Sequence, residues 1–347
     1  MYTLLSADIG ASHCRFALFQ ANRDDPGAPM LRLLREQWLA GAEYPSFREA
    51  LLALRAARVQ ETGEPFLPDD PKLRPAIAVL APAGPIEGDR CRMSNLSWLI
   101  QTQDLREELG IATACLINDF VAQAYACLLP DSIDLSVILP GQAEDNAPKA
   151  VTGAGTGFGQ ALILPNAAFP AASQDMNAKA HEQTLRRLAR AVILPSEGGH
   201  CDFPFTGKDE LALADFIRQS TGLERIINDT LVSGSGLAHI FAFLTGERLP
   251  AREVPACIDS CPQALEWYAR FYGRACRGYT LSSLALGGLY VTGGMALRVP
   301  VLTHPAFAEE LHHSQAQRRL LQRIPVYHVR TPEAGLWGAA LYGMLRL

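Results

Sequence analysis

Short apolar runs joined by glycine-rich turns alternate along this chain with longer stretches of helical period. Tyr2-Thr3-Leu4-Leu5 and Phe16-Ala17-Leu18-Phe19 flank Asp8-Ile9-Gly10-Ala11-Ser12-His13-Cys14-Arg15, which predicts a hairpin with a carboxylate at its tip. Ala150-Val151 and Ala161-Leu162-Ile163-Leu164 flank Gly153-Ala154-Gly155-Thr156-Gly157-Phe158-Gly159, a second strand-to-strand turn rather than the strand-to-helix turn of a dinucleotide fold. Leu116-Ile117 runs into Asn118-Asp119, after which Phe120, Val121, Ala124, Tyr125 and Leu128 recur at helical spacing. A buried strand is expected to become a helix there. Further on, Leu237, Ile240, Phe241 and Leu244 form one helix face, and Leu265, Tyr268, Phe271, Tyr272 and Ala275 another. Leu289-Tyr290-Val291-Thr292 reads as a strand between Gly287-Gly288 and Gly293-Gly294. The stretch Glu61 to Pro75, with four prolines, reads as a surface loop before the buried strand Ala76 to Leu80.

These turns carry the candidate chemistry. A backbone free of side chains at alternate positions can turn its amides onto a polyanion, so Gly153 to Gly159 points to phosphate. Asp8, at a strand end beside small residues, suits a magnesium-bound nucleotide, because Mg²⁺ takes a few carboxylate contacts, often through water. Capping of its own turn is the other reading. Asp119 stands where it can accept a hydroxyl proton, although Asn and Asp are also ordinary helix caps. Leu194-Pro195-Ser196-Glu197-Gly198-Gly199-His200-Cys201-Asp202-Phe203 offers Glu197 and His200 to the forked hydroxyls of a sugar. A metal site from Glu197, His200, Cys201 and Asp202 is disfavoured by crowding and by the lack of a spaced His/Cys pair.

At 347 residues the chain is too long for a comfortable single core, so two domains are expected. A hydrophobic fraction of 48%, a charged fraction of 19% and a net charge of −5, with no basic stripe, describe a soluble globular protein without a nucleic-acid partner. No apolar run of membrane-spanning length occurs, and a cytoplasmic location without a membrane partner is expected. Eight scattered cysteines with no C-x-x-C pair favour reduced thiols over disulfides or zinc.

Taken in order, the segments resemble the bacterial glucokinases of the actin-like, hexokinase-type ATPase superfamily. Asp8 to Arg15 is similar to that family's first phosphate loop, Gly153 to Gly159 to its second, and Asn118-Asp119-Phe120 to the segment with the catalytic aspartate. Leu194 to Phe203, Ser233-Gly234-Ser235-Gly236-Leu237, Met93 to Trp98 and the adenosine motif Gly287 to Gly294 follow in the family's order. The resemblance implies a two-domain actin-like ATPase (ribonuclease H-like) α/β fold with two similar halves and an interdomain cleft. The expected small domain is 1–129 with 332–347, and the large one 130–331. It implies ATP-dependent phosphorylation of the 6-hydroxyl of a hexose, most simply glucose, by a homodimer. Asp119 would be the catalytic base. Asn118, Asp119, Glu197, His200 and Asp229 would bind the sugar, and Asp8 would hold Mg²⁺, largely through water. Gly10, Ala11, Ser12, Gly153, Gly155, Thr156 and Gly157 would hold phosphate, with Gly293 and Gly294 beside the nucleoside.

The chain departs from the family pattern at Ala11, Ser12 and His13, and Asp229 stands where a glutamate is usual, shortening the reach by about 1.5 Å. These departures keep open a sugar-sensing homologue with weak catalysis, or a kinase for another hexose. Residues 166–191, with Arg186, Arg187 and Arg190, form an insertion expected to carry a solvated amphipathic helix.

Overall fold

A computed structural model describes the chain apart from residues 1, 11, 12, 24, 26, 27, 60, 61, 68, 69, 71–73, 94, 95 and 166–179, and apart from the side chains of 180–183. The chain divides into two units. One takes in the described residues of Met1–Ile133, Ala168–Ala191 and Glu333–Leu347, and the other those of Asp134–Ala167 and Val192–Pro332.

The first unit contains β1 (Tyr2–Ile9), β2 (Cys14–Ala21), β3 (Leu31–Leu39), β4 (Ile77–Pro82), β5 (Ile86–Glu87), β6 (Arg90–Arg92), β7 (Leu99–Gln101) and β8 (Ala114–Leu116). Five of them form a sheet of order β3-β2-β1-β4-β8, in which β1, β2 and β3 are antiparallel while β1, β4 and β8 run parallel. The remaining three make a small antiparallel sheet. Period-2 alternation gives each central strand two buried faces. Leu5, Ala7, Ile9, Phe16 and Leu18 pack with Phe47, Leu51 and Trp98 in one core. On the C-terminal helix Ala334–Met344, Trp337 meets Phe19 edge-on at 4.9 Å, and Gly343 lies against Val79 and Ile77. β8, expected to be buried, is only half-buried because it is the sheet's edge.

The second unit contains β9 (Leu135–Leu139), β10 (Lys149–Ala154), β11 (Phe158–Leu164), β12 (Val192–Ser196), β13 (Leu289–Thr292) and β14 (Val326–Val329). Their order is β12-β11-β10-β13-β14-β9. Here too three antiparallel strands are followed by two that run parallel to the innermost, with β9 added antiparallel at the edge. The strand plan of the first unit is thus repeated, as the resemblance implies. Helices Gly234–Thr245 and Pro262–Ser283 supply a core that includes Leu237, Phe241, Tyr268, Phe271 and Tyr272.

Within that unit the buried Arg274 forks onto Glu210, with Nη1 donating to Oε2 at 2.6 Å and Nη2 to Oε1 at 2.9 Å. Its Nε donates to Glu310 at 3.0 Å, and Arg277 reaches the same Glu310 oxygen at 2.8 Å. Burial would raise the Glu310 carboxyl, but the two guanidinium groups hold it below its ordinary value. Three helices are thereby cross-tied: Gly207–Thr221, Pro262–Ser283 and Pro305–Leu311.

The insertion lies between the paired residues Leu164 and Val192. Its described part is the helix Ala180–Arg190, with Leu188 buried and Arg186, Arg187 and Arg190 exposed, the amphipathic pattern expected. Residues 166–179 of the insertion lie outside the described residues. Among the described residues no helix is long and apolar enough to cross a membrane.

Candidate active site

β1, β4 and β8 are parallel, and open α/β sheets bind ligands beyond the carboxyl ends of such strands. Asp8 and Asp119 both lie at those ends. Asp8 sits within β1 opposite Arg15 of β2, so it stands just before the turn rather than at its tip. The turn itself is closed by the Gly10 amide donating to the His13 carbonyl at 3.1 Å. Ala11 and Ser12 lie outside the described residues. Burial pushes the Asp8 carboxyl above its ordinary value, and the positive charge of Arg15 pulls the other way. Arg15 stacks over Trp38 at 4.1 Å, and His13 meets the same indole edge-on at 6.0 Å. A Cβ on Gly335 would come 3.1 Å from both Asp8 Oδ2 and Gln123 Nε2, so glycine there keeps room between a carboxylate and a carboxamide.

Asn118 caps the helix Asp119–Ala126. Its Oδ1 accepts from the amides of Phe120 at 3.0 Å and Val121 at 3.2 Å, which leaves the side-chain NH₂ as its group for a ligand. Leu128, expected on the same helix, lies beyond its last residue. Asp119 is half-buried, and its Oδ1 accepts from the Phe120 amide at 2.9 Å, which fixes the carboxylate's plane. Burial and the nearby charge of Asp119 raise the Cys91 thiol to about 11, so this neighbour stays protonated at neutral pH.

In the second unit β10 and β13 run parallel with Gly153 opposite Thr292, so the turn after β10 and Gly293-Gly294 leave the sheet side by side. The approach is close: a Cβ on Gly153 would lie 2.4 Å from the Thr292 carbonyl oxygen, and one on Gly293, at φ 93°, would lie 2.5 Å from that of Ala154. Gly155 donates to the Gly157 carbonyl at 2.8 Å, and Ala154 to the hydroxyl of the core residue Tyr272 at 3.1 Å. Gly155 in turn accepts from Gly234, the first residue of its helix, at 3.0 Å. Ser233 caps that helix through the Gly236 amide at 3.3 Å. Among the described residues the amides of Thr156 and Gly157 donate to no protein acceptor, and Thr156 is exposed. Two donors beside a helix N-terminus make an anion seat.

Glu197 and His200 are joined, Nδ1 to Oε2, at 3.1 Å, and both side chains are exposed. Gly198 and Gly199 between them have no room for a side chain, since a Cβ would come 2.0 Å from Gln160 Oε1 and 2.0 Å from the Phe158 carbonyl oxygen respectively. The glycine pair therefore seats the sugar-type segment directly on β11. Asp229 is not beside this pair alone. Its Oδ1 accepts from the Phe158 amide, at the exit of the phosphate turn.

The structure thus gathers Asp8, Gly10, Asn118 and Asp119 at the carboxyl ends of the parallel strands of the first unit. Gly153, Gly155, Thr156, Gly157, Gly293 and Gly294, with Glu197, His200 and Asp229, are gathered in the second. Sequence reasoning did not single out Gln123, Gly335 or Asn228, and it read Tyr272 only as part of a helix face. Only the four-residue step from Asp119 to Gln123 on one helix face was there to be read.

The sequence model of the Glucokinase family matches residues 5–174 and 184–345. The chain belongs to the glucokinase family. Among its glucokinase relatives, that of Synechocystis is 28% identical over 97% of this chain and 96% of its own length. That of Nostoc punctiforme is 29% identical over 98% of both chains. The crystal structure of glucokinase from an Antarctic psychrotroph, 26% identical, superposes with a TM-score of 0.75 over 99% of this chain and 98% of that one. The glucokinase family is one of hexose kinases, and the two-domain actin-like ATPase fold is the one that the repeated sheets describe.

Proposed function

We propose that this glucokinase-family protein transfers the terminal phosphoryl group of ATP to the 6-hydroxyl of glucose. The observation that carries the reading is the placement of Asp119: a carboxylate at the carboxyl end of a parallel strand, oriented by the Phe120 amide, on a helix capped by Asn118. Phosphoryl transfer asks little covalent help of a protein, so alignment and charge compensation supply most of the effect. Asp119 accepts the proton of the 6-hydroxyl as that oxygen attacks phosphorus and the bond to the leaving ADP oxygen breaks. The NH₂ of Asn118, the carboxylate of Glu197 and the imidazole of His200 hold the remaining hydroxyls. The amides of Thr156 and Gly157 hold phosphate oxygens, with the turn at Gly10 close by the reacting end and Gly293 and Gly294 beside the nucleoside.

The half-buried Asp8 carboxylate, at the carboxyl end of β1, is the group that would hold Mg²⁺, through water. When bound, the ion would neutralise charge on the phosphates. A coupled assay for ADP release over a panel of hexoses tests the reading. Glucose is expected to give the highest kcat/KM. No turnover with any sugar, together with saturable sugar binding, would replace the kinase by a sugar sensor.

A further inference from the structure

We propose that Asp229 is a positioning residue for the phosphate turn. The proposal rests on the ATP-dependent reading above. Asp229 lies on the four-residue helix Asn228–Leu231, and its Oδ1 accepts from the Phe158 amide at 2.5 Å. The same oxygen stands 2.5 Å from where a Cβ on Gly157 would be, so a glycine at 157 is what lets the carboxylate come so near. The helix cannot drift, because Asn228 donates from its amide to the Cys201 carbonyl at 2.9 Å and from Nδ2 to the Gly198 carbonyl at 3.0 Å. Asp229 is thus held from behind by the Glu197–His200 segment and grips the turn from its exit.

By engaging the Phe158 amide, the carboxylate sets the direction of the two preceding amides, Thr156 and Gly157, which remain for phosphate. A charge-assisted bond of this kind holds a loop far better than a neutral one. The side chain is one methylene shorter than the family's glutamate, and this length suits the turn at its present distance.

The test compares Asp229→Ala and Asp229→Asn with the parent by titration calorimetry, using Mg·AMPPNP and glucose separately. Asp229→Ala is expected to weaken AMPPNP binding about 10-fold, the lower range for a hydrogen bond to a charged group, with glucose affinity unchanged. Asp229→Asn keeps an acceptor for Phe158 but not the charge, and recovers part of the AMPPNP binding that alanine loses. Hydrogen exchange of the Phe158 amide should quicken in the alanine variant and slow again, part of the way, with asparagine. A loss of glucose affinity equal to or greater than that for AMPPNP, or unchanged AMPPNP binding, overturns the proposal. Should the alanine variant fail to fold, asparagine alone decides: intact glucose affinity supports positioning, and a 10-fold loss, about 1.4 kcal/mol, restores the sugar ligand. Failure of the kinase reading would show separately, as absent turnover by the parent protein.

Discussion

Gly338 of the C-terminal helix crosses Ala122 so closely that a Cβ on it would stand 1.7 Å from the Ala122 carbonyl oxygen. Ala122 belongs to the first turn of the helix opened by Asp119. The position of the proposed base therefore depends on a residue far along the chain that has no side chain at all. Gly338→Ala must force the two helices apart, and the expected cost is about 3 kcal/mol, the upper part of the overpacking range. Urea denaturation followed by circular dichroism measures it, and kcat should fall in step. An unchanged midpoint would mean that the crossing is not rigid.

Asp119→Asn keeps the bond from the Phe120 amide and removes the proton acceptor. Turnover is expected to drop by about 10²-fold or more, while the dissociation constant for glucose stays the same. Near-normal kcat would take Asp119 out of the chemistry.

Ionised Asp8 is a cost to the fold. Burial raises its carboxyl in the folded state, so its contribution to stability is complete below the unfolded value of 3.8 and is lost as pH rises through the folded one. At neutral pH Asp8→Asn is expected to raise the melting temperature and to weaken the binding of Mg·AMPPNP. A variant that melts lower while binding nucleotide normally would reverse both assignments.

The opposite sign holds for Glu310, whose burial is outweighed by Arg274 and Arg277. Its contribution is present above the ordinary value of 4.5 and disappears as pH falls through the lower folded one. Arg274→Met leaves Glu210 and Glu310 buried without their main partner, at an expected cost of about 3–5 kcal/mol at pH 7. The loss measured by denaturation should shrink as pH drops below that value. A constant loss at all pH values would show that packing, not charge, is what Arg274 contributes.

Much of this architecture is legible in the order of residues, and what is not has a physical reason. The hairpins around Gly10 and Gly155 and the strand between Gly287-Gly288 and Gly293-Gly294 are short-range patterns, set by residues a few places apart. Asp119 is likewise marked by the change from an apolar run to helical spacing. Arg274, Glu210 and Glu310 are separated by 64 and 36 residues and read singly as surface charges, since nothing local says that three helices will bury them together. Asn118 shows a different limit. Capping and sugar binding are rival readings of one side chain in the sequence, yet the cap takes only its oxygen and leaves its NH₂ group outside the cap. The bond between Asp229 and Phe158 spans 71 positions, and no spacing rule could have disclosed it.

The C-terminal helix also shapes how this protein is made. Leu4, Ile77 and Val79 are buried in strands synthesised well before Gly343 and Trp337, which lie on the helix that covers that face. The second unit has all of its strands by Val329 and can condense while the earlier sheet still shows one greasy side to the cell. A nascent chain in that condition is a natural client for a holding chaperone.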